Sequence, residues 1–203
     1  GVLRCALDEG EEARLRGFLW QRERGLKVEW VEASALAKTA GAALAAEVRS
    51  GVFFADEGAL DPRRLTQALA SAARSRGVEI RTGTAVRRFW IEGDRCRGVE
   101  TENGRLEAES VVDAAGAWAG FDQGLPFFVP VEPVRGQIVE LDLGTGAPGS
   151  VLHSEAVYLV PRADGRTLVG STLERVGFRK EVTAGAVQSL LDAAARLLPA
   201  VRL

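Results

Sequence analysis

The sequence lacks most of the side chains with which proteins bind metals or attack substrates. Its 203 residues include one histidine (His153), two cysteines (Cys5 and Cys96) and no methionine. A structural zinc site needs about four ligands, usually in closely spaced pairs, so the sequence excludes one. Serine–histidine or cysteine–histidine catalysis would have to use His153 alone.

Neither a long apolar run nor an excess of one charge is present. No apolar run approaches the ~18 residues that a membrane-spanning helix needs. Lysine and arginine number 26 and aspartate and glutamate 28, so nothing in the charge balance favours nucleic acid or an anionic membrane as a partner. With 46% apolar and 27% charged residues, the chain is typical of one large or two small globular domains.

The ends of the sequence also lack expected features. There is no methionine at position 1 and no signal segment, and the chain stops within the apolar stretch Leu198–Leu203. We expect the middle part of a longer protein; a complete protein that has lost its initiator methionine is the alternative. Two distant cysteines and the missing signal segment favour the cytoplasm.

Apolar periodicity predicts a mixed fold of the α+β or α/β class. The clearest helix begins at Asp61 as N-cap and ends at Gly77, and a strand at 78–80 completes a helix–strand unit. A β-meander follows over 84–112, with a hairpin turn at Asn103-Gly104. Further strands are expected at 1–7, 52–54, 110–115, 129–142, 156–163 and 166–171, and further helices after Asp8, over 33–50 and after Thr183.

Two glycine-containing segments invite comparison with phosphate-binding loops. Gly144–Gly149 matches the GxGxxG pattern, but the residues after it alternate like strands, and the dinucleotide motif requires a helix there. We interpret it as a surface loop. Val111–Gly120 combines a predicted buried strand, small residues and a short helix, which would offer backbone amides to a phosphate. The alternative is that Gly116 only makes a turn and Trp118 only packs.

The order of several motifs resembles the D-amino-acid oxidase superfamily, in its glycine oxidase branch. Val111–Gly120 is similar to the family's ASG-x-W-S/A-G segment, and Pro130–Gln137 to its P-V-K/R-G-Q strand. Tyr158–Arg162 and Leu168–Thr172 are similar to its Y-I/L-V-P-R and V-V-G-A/S-T hairpin. Segments at 53–63, 78–86 and 197–199 match in the same order, so the resemblance covers nearly the whole chain.

The resemblance implies an FAD-dependent enzyme that oxidises glycine, sarcosine or a small D-amino acid. The substrate's α-hydrogen leaves as hydride to the flavin, the imine hydrolyses, and oxygen reoxidises the flavin with release of hydrogen peroxide. Because the cofactor carries this chemistry, a chain almost without histidine and cysteine suffices. A D-amino-acid dehydrogenase that reduces a quinone, and a non-catalytic binding or assembly domain on the same scaffold, are the alternatives.

The same resemblance assigns roles to individual residues. Gly116, Ala117 and Trp118 match positions near the flavin's phosphate and ribityl region, and Val86 matches a residue beside the adenine. Tyr158, the only tyrosine, matches the residue whose hydroxyl holds the substrate carboxylate, a role that suits a phenol. The alternative for Tyr158 is a strand aromatic whose hydroxyl is already hydrogen-bonded.

Other polar positions are interpreted more plainly. His153 lies beside a family position near the active-site entrance, and we interpret it as a surface or hairpin-end residue. Ala156 stands where a relative carries a polar pocket residue, so the sequence does not determine which amino acid is the substrate. We interpret Arg135 and Arg162 as strand-end or surface charges rather than carboxylate clamps.

By resemblance, the chain is a mixed β-sheet substrate domain flanked by helices, plus part of an FAD-binding Rossmann-like domain. Residues 1–60 and 125–203 are assigned to the substrate domain and 61–124 to the FAD domain. The family's GxGxxG segment, its carboxylate-binding arginine and its second glycine-rich segment are expected outside the chain. We therefore expect the isolated chain to hold FAD poorly and to be inactive, while homo-oligomerisation of the full-length protein stays open.

Overall fold

The computed structural model describes residues 1–120 and 124–202, which form two compact units. The first, the sheet unit, comprises Gly1–Leu60, Arg135–Glu174 and Lys180–Leu203. The second, the meander unit, comprises Asp61–Val134 and Arg175–Arg179. Each unit joins segments that are far apart in the sequence.

Within the described residues, the strands form a seven-stranded and a three-stranded sheet. They are β1 (Val2–Ala6), β2 (Val28–Glu32), β3 (Ser50–Phe54), β4 (Val86–Glu92), β5 (Arg95–Thr101), β6 (Gly104–Glu107), β7 (Ile138–Asp142), β8 (Val151–His153), β9 (Tyr158–Pro161) and β10 (Arg166–Gly170). The larger sheet has the order β2-β3-β1-β8-β9-β10-β7 and lies in the sheet unit. Its neighbours are antiparallel except β1 and β8, which are parallel, so the predicted mixed sheet is confirmed.

Local start signals place three of the helices where the sequence predicts them, whereas the helical region predicted over 33–50 is an α-helix only over Ala33–Ala40. The α-helices of the described chain are α1 (Glu9–Arg16), α2 (Ala33–Ala40), α3 (Pro62–Arg74) and α4 (Ala184–Ala195). The Asp8 carboxylate accepts a hydrogen bond from the Glu11 amide at 2.8 Å, and Asp61 and Thr183 cap α3 and α4 in the same way. Each cap satisfies an amide that has no partner inside the first turn of its helix.

One face of the seven-stranded sheet carries the main core. Register partners in neighbouring strands point to the same face, and Leu3, Leu152, Leu159 and Val169 are such partners across β1, β8, β9 and β10. All four are fully buried. They cluster with buried side chains of the flanking helices, including Leu36 and Ala40 of α2 and Leu190 and Ala194 of α4.

On the opposite face, α1 packs against the end formed by β2 and β3. Leu15 of α1 packs with Val28, Val52 and Phe54 of β2 and β3 in a second, smaller cluster. At the other end of the same face, Ile138 of β7 is 54% exposed. We call this side of the sheet the Tyr158 face, because Tyr158 lies on it in β9.

The meander unit contains the predicted β-meander. β4, β5 and β6 pair antiparallel in sequence order. Gly93, with φ +61°, makes the first hairpin turn in a left-handed conformation that favours glycine. Thr101 pairs with Gly104 at the second hairpin, so its two-residue loop is Glu102-Asn103, one residue before the predicted Asn103-Gly104.

Two predicted strands of the meander unit are not formed, which corrects the sequence interpretation. Residues 78–80 and 110–115 lie outside the strands of the described chain, and the strand half of the predicted helix–strand unit is therefore wrong. Val112, expected to be buried, is 87% exposed. A strand needs a neighbour to pair its backbone amides and carbonyls, and the part of the chain that the structure describes provides neither segment with one.

Other strand boundaries also differ from the prediction. The strand expected over 129–142 is regular only in β7, and before it a single bridge joins Arg135 to Glu174. β2 was not predicted, whereas β8 lies in the segment after Gly149 that the sequence shows alternating like strands. The interpretation of Gly144–Gly149 as a loop is confirmed: a 3-10 turn over Gly144–Gly146 leads into β8 instead of an α-helix.

Two negative findings hold for residues 1–120 and 124–202. The structure has no helix of the length and apolar character needed to cross a lipid bilayer. It also has no cluster of histidine, cysteine, aspartate and glutamate side chains able to hold a metal ion.

Candidate functional site

A row of side chains crosses the Tyr158 face on four neighbouring strands. Arg4 of β1 is in register with His153 of β8, His153 with Tyr158 of β9, and Tyr158 with Gly170 of β10. Because register partners share a face, the three side chains lie side by side on the same surface. Arg4, His153 and Tyr158 are each partly exposed.

Tyr158 occupies a place that only glycine leaves open. A Cβ atom built on Gly170 would lie 2.5 Å from both Cζ and Oη of Tyr158, so the ring lies directly over the Gly170 backbone. Among the residues that the structure describes, none is hydrogen-bonded to the Tyr158 hydroxyl. Its assigned role in binding a carboxylate stays a prediction.

His153 is a half-buried imidazole next to Tyr158 at the end of the β8–β9 hairpin, which confirms its interpretation as a hairpin-end residue. Burial and the nearby Arg4 guanidinium both lower its pKa, while the carboxylate of Glu57 acts weakly in the opposite direction. The imidazole is therefore neutral at neutral pH and can donate one hydrogen bond and accept another.

Arg135 is also not a surface charge, which corrects its interpretation from the sequence. Its side chain is only 12% exposed, and its guanidinium binds the Glu174 carboxylate at 2.5 Å. Glu174 also accepts hydrogen bonds from Gln137 and Thr172, and these partners lower its pKa to about 2. The Gln137 side chain in turn accepts a hydrogen bond from the backbone amide of Thr183. The network therefore connects the segments just before β7 and just after β10 with the start of α4.

The residues assigned to FAD by resemblance lie in the meander unit. Gly116–Trp118 forms a three-residue 3-10 helix, with Gly116 at φ +56°. The Asp113 carboxylate fixes the preceding turn by accepting from the Ala115 amide at 2.9 Å. Trp118 lies 5.1 Å from the Phe178 ring and is still 54% exposed. Val86 begins β4 and is 52% exposed.

This segment fits a cofactor that approaches the backbone closely. A Cβ atom built on Gly116 would meet no atom of residues 1–120 and 124–202 within 4 Å, which leaves room beside this backbone. Ala117 adds only a methyl group, and the exposed Trp118 indole offers a flat surface. A three-residue helix contributes almost no dipole, so backbone amides and small size, rather than a helix N-terminus, would have to serve a phosphate.

The structure brings some of the predicted site residues together and not others. Gly116, Ala117 and Trp118 form one surface, Val86 lies elsewhere in the meander unit, and Tyr158 lies in the sheet unit. Their roles remain predictions. Ala156 and Arg162 flank β9, and neither lies in the row on the Tyr158 face.

Sequence reasoning missed Arg4 and Gly170. Arg4 could have been found, because it is the one charged residue inside the otherwise apolar strand V-L-R-C-A. Its alternation with the buried Leu3 and Cys5 puts it on the opposite face. Gly170 carries no such signal, since only the position of the Tyr158 ring shows why glycine is required.

Comparison with known proteins agrees with this geometry. The family model described as FAD dependent oxidoreductase matches residues 1–203. The chain is 39% identical over 163 residues to the bifunctional protein ThiO/ThiG of Synechocystis sp., covering 78% of this chain and 24% of that protein. It is 38% identical over 140 residues to glycine oxidase of Pseudomonas putida, covering 68% of this chain and 38% of that protein.

A solved structure extends the likeness to the whole chain. The crystal structure of glycine oxidase from Geobacillus kaustophilus superposes with a TM-score of 0.87 and 28% identity, covering 100% of this chain and 55% of that one. The chain thus spans about half of the solved relative and less of the two curated ones. FAD is the cofactor of the matched family, as the resemblance implied. The chain belongs to the FAD-dependent oxidoreductases of the D-amino-acid oxidase superfamily, in its glycine oxidase-like branch.

Proposed function

We propose that the protein containing this chain oxidises glycine or another small amino acid, such as sarcosine or a D-amino acid, and releases hydrogen peroxide. The observation that carries the proposal is the Tyr158 hydroxyl, which is partly exposed on the Tyr158 face and has no hydrogen-bond partner in the described chain. Glycine oxidases among the relatives supply the substrate class.

In this proposal Tyr158 binds the substrate carboxylate. Its hydroxyl donates a hydrogen bond to the carboxylate, and its ring, held against Gly170, forms a wall of the pocket. The fixed ring limits the orientations of the bound amino acid, which lowers the entropic cost of reaching the reactive arrangement. A charge-assisted hydrogen bond of this kind contributes about 1.5–3 kcal/mol.

The meander unit would hold the cofactor. Gly116, Ala117 and Trp118 would contact the phosphate and ribityl region of FAD, and Val86 the adenine. FAD supplies the acceptor for the hydride that leaves the substrate. This assigns residues 61–124 to the FAD domain and 1–60 with 125–203 to the substrate domain. The free thiols of Cys5 and Cys96 suit a cytoplasmic protein.

The test is to purify the full-length protein and record its flavin absorbance, then to measure oxygen consumption and hydrogen peroxide with glycine, sarcosine and small D-amino acids. Peroxide formed in proportion to oxygen consumed supports the oxidase. Flavin reduction by an amino acid, with electrons passed to a quinone but not to oxygen, would indicate a dehydrogenase instead. A full-length protein without flavin would contradict the proposal and favour a non-catalytic domain.

The isolated 203-residue chain gives a second test. We expect it to retain much less than one FAD per chain after incubation with the cofactor and desalting, and to show no amino-acid oxidation. Retention of stoichiometric flavin by this chain alone would contradict the expectation that further cofactor contacts lie outside it.

A further inference from the structure

A small cavity lies in the sheet unit between α1 and the β1–β8 strand pair, on the Tyr158 face. Its volume is about 300 Å³. Arg4, His153, Leu15 and Phe18 contribute to its lining, together with the ion pair between Arg14 and Glu155. Tyr158 does not line it, although Tyr158 is the neighbour of His153 in the sheet.

The Arg4 guanidinium is held rigidly but has unused hydrogen-bonding capacity. Its Cζ atom lies 5.0 Å from the centre of the Phe18 ring and 5.1 Å from that of Phe54, so two cation–π contacts fix its position. Its Nε atom is buried with no hydrogen-bond partner in the described chain. The Glu57 carboxylate lies 3.8 Å from an Nη atom of Arg4, which is beyond hydrogen-bond distance.

The other charges around the cavity are already engaged. Arg14 donates to Glu155, and Glu11 accepts a hydrogen bond from the Leu7 amide at 2.6 Å. Arg4 is therefore the cation whose charge is least compensated at this cavity. His153 faces it from β8 as a neutral imidazole with a hydrogen to donate.

A planar guanidinium with free donors is the preferred protein partner of a carboxylate, which it binds through two parallel hydrogen bonds. The apolar side chains of Leu15 and Phe18 suit a ligand with a short carbon chain, and the volume limits its size. We propose that this cavity is a binding site for a small monocarboxylate, held by Arg4 and His153 and separate from the site at Tyr158. The inference does not depend on the proposed oxidase activity.

The ligand's carboxylate could come from a free small acid or from the carboxylate of a substrate bound at Tyr158. Neighbouring strands are about 4.8 Å apart, so the backbones of Arg4 and Tyr158 are about 10 Å apart across β8. A Tyr158→Phe variant distinguishes the two sources.

His153 provides a direct reporter for the test, because it is the only histidine in these 203 residues. The imidazole Cε1–H signal is followed by NMR against pH in the full-length protein, and the His153→Gln variant assigns it. Sodium acetate is the probe, and sodium chloride at equal ionic strength controls for screening. Acetate bound beside Arg4 offsets the repulsion between the guanidinium and the imidazolium, so we expect it to raise the pKa of His153 by about 1 unit.

The variants define the site. In Arg4→Met the stem still packs against the two rings, the pKa of His153 starts higher than in the unmodified protein, and acetate no longer changes it. Arg4→Lys keeps the charge but loses the two-point contact, so the acetate concentration for half of the effect rises about 5-fold. Arg166→Met, at an exposed arginine of β10 paired with Asp164 and Glu140, leaves the acetate response unchanged.

Three results would overturn the proposal. The first is an equal pKa of His153 in acetate and chloride, since one guanidinium and a four-atom ligand should bind on the order of millimolar. The second is an acetate response that persists in Arg4→Met. The third is a response lost in Tyr158→Phe, which would assign the carboxylate to the Tyr158 site.

Discussion

Two helices with equally clear sequence signals have very different surroundings in the two units. α4 of the sheet unit buries Leu190, Ala194 and Ala195 against the core face. α3 of the meander unit has a good N-cap and a strong apolar periodicity, yet it buries no residue. Caps and periodicity thus decide that a helix forms, whereas burial depends on what another part of the structure places against it.

The strands of the two units show the same contrast. β9 reads as apolar on both faces and lies in the interior of the seven-stranded sheet, between β8 and β10. The segment 110–115 of the meander unit reads just as clearly as a buried strand but is exposed. The pattern of apolar residues is local, while the pairing that makes a strand is not.

The largest expected difference between the units is in the cost of removing a leucine. Leu152→Ala in the core face removes a fully buried side chain and should lower the free energy of unfolding by about 2–5 kcal/mol. Leu69→Ala on α3, where the side chain is 61% exposed, should change it by less than about 0.5 kcal/mol. Urea denaturation followed by circular dichroism measures both, and equal effects would contradict the comparison.

Alanine substitutions at two glycines, one in each unit, should also differ in their effects on stability and on KM. Gly170→Ala forces a methyl group against the Tyr158 ring, so we expect a loss of about 1–3 kcal/mol and displacement of the ring. Gly116→Ala meets no atom, and only its positive φ costs stability, about 1 kcal/mol. The substrate KM should rise in the first variant and stay unchanged in the second; a changed KM in both would contradict the separate roles.

The smallest expected effect concerns the pH dependence of stability. The pKa of Glu174 is lowered to about 2, because Arg135, Thr172 and Gln137 bind its ionised form. The contribution of Glu174 to stability is therefore complete above the ordinary pKa of 4.5 and is lost as the pH falls from there to about 2. Glu174→Gln should lower the melting temperature at pH 7 and flatten its decline at acid pH.

The control for this pH prediction is Glu79→Gln in the meander unit. Its partner Arg81 also lowers the pKa of Glu79, but both side chains are largely exposed to solvent. Screening by water leaves such a pair with little effect on stability. The melting temperatures of Glu79→Gln from pH 7 to pH 2 should therefore coincide with those of the unmodified protein. If they declined less at acid pH, the effect would not be specific to the Arg135–Glu174 network.

Much of the fold followed from local signals in the sequence. Asp8, Asp61 and Thr183 marked helix starts because a side-chain cap is a contact between near neighbours in the chain. Asn103-Gly104 marked a hairpin to within one residue, because a positive φ in such a turn is costly for residues other than glycine. The parallel pairing of β1 with β8 could not be predicted, since these strands are nearly 150 residues apart and their register depends on the assembled core.

The candidate site was predictable only in part. Tyr158 was found through its motif, and the role of Gly170 beneath its ring became clear only from the pairing of β9 with β10. The neighbouring positions of Arg4 and His153 likewise depend on the register of distant strands. The burial of Arg135 was missed because a sequence shows a charge without showing its partners, here Glu174 and Gln137.

The central claim is that the Tyr158 hydroxyl binds the carboxylate of an amino-acid substrate. The most direct measurement is the steady-state oxidation of glycine by the full-length protein and its Tyr158→Phe variant, with flavin content determined for both. We expect equal flavin content in both proteins and a KM about 10-fold higher in Tyr158→Phe, because one charge-assisted hydrogen bond is lost. An unchanged kcat/KM at equal flavin content would contradict it.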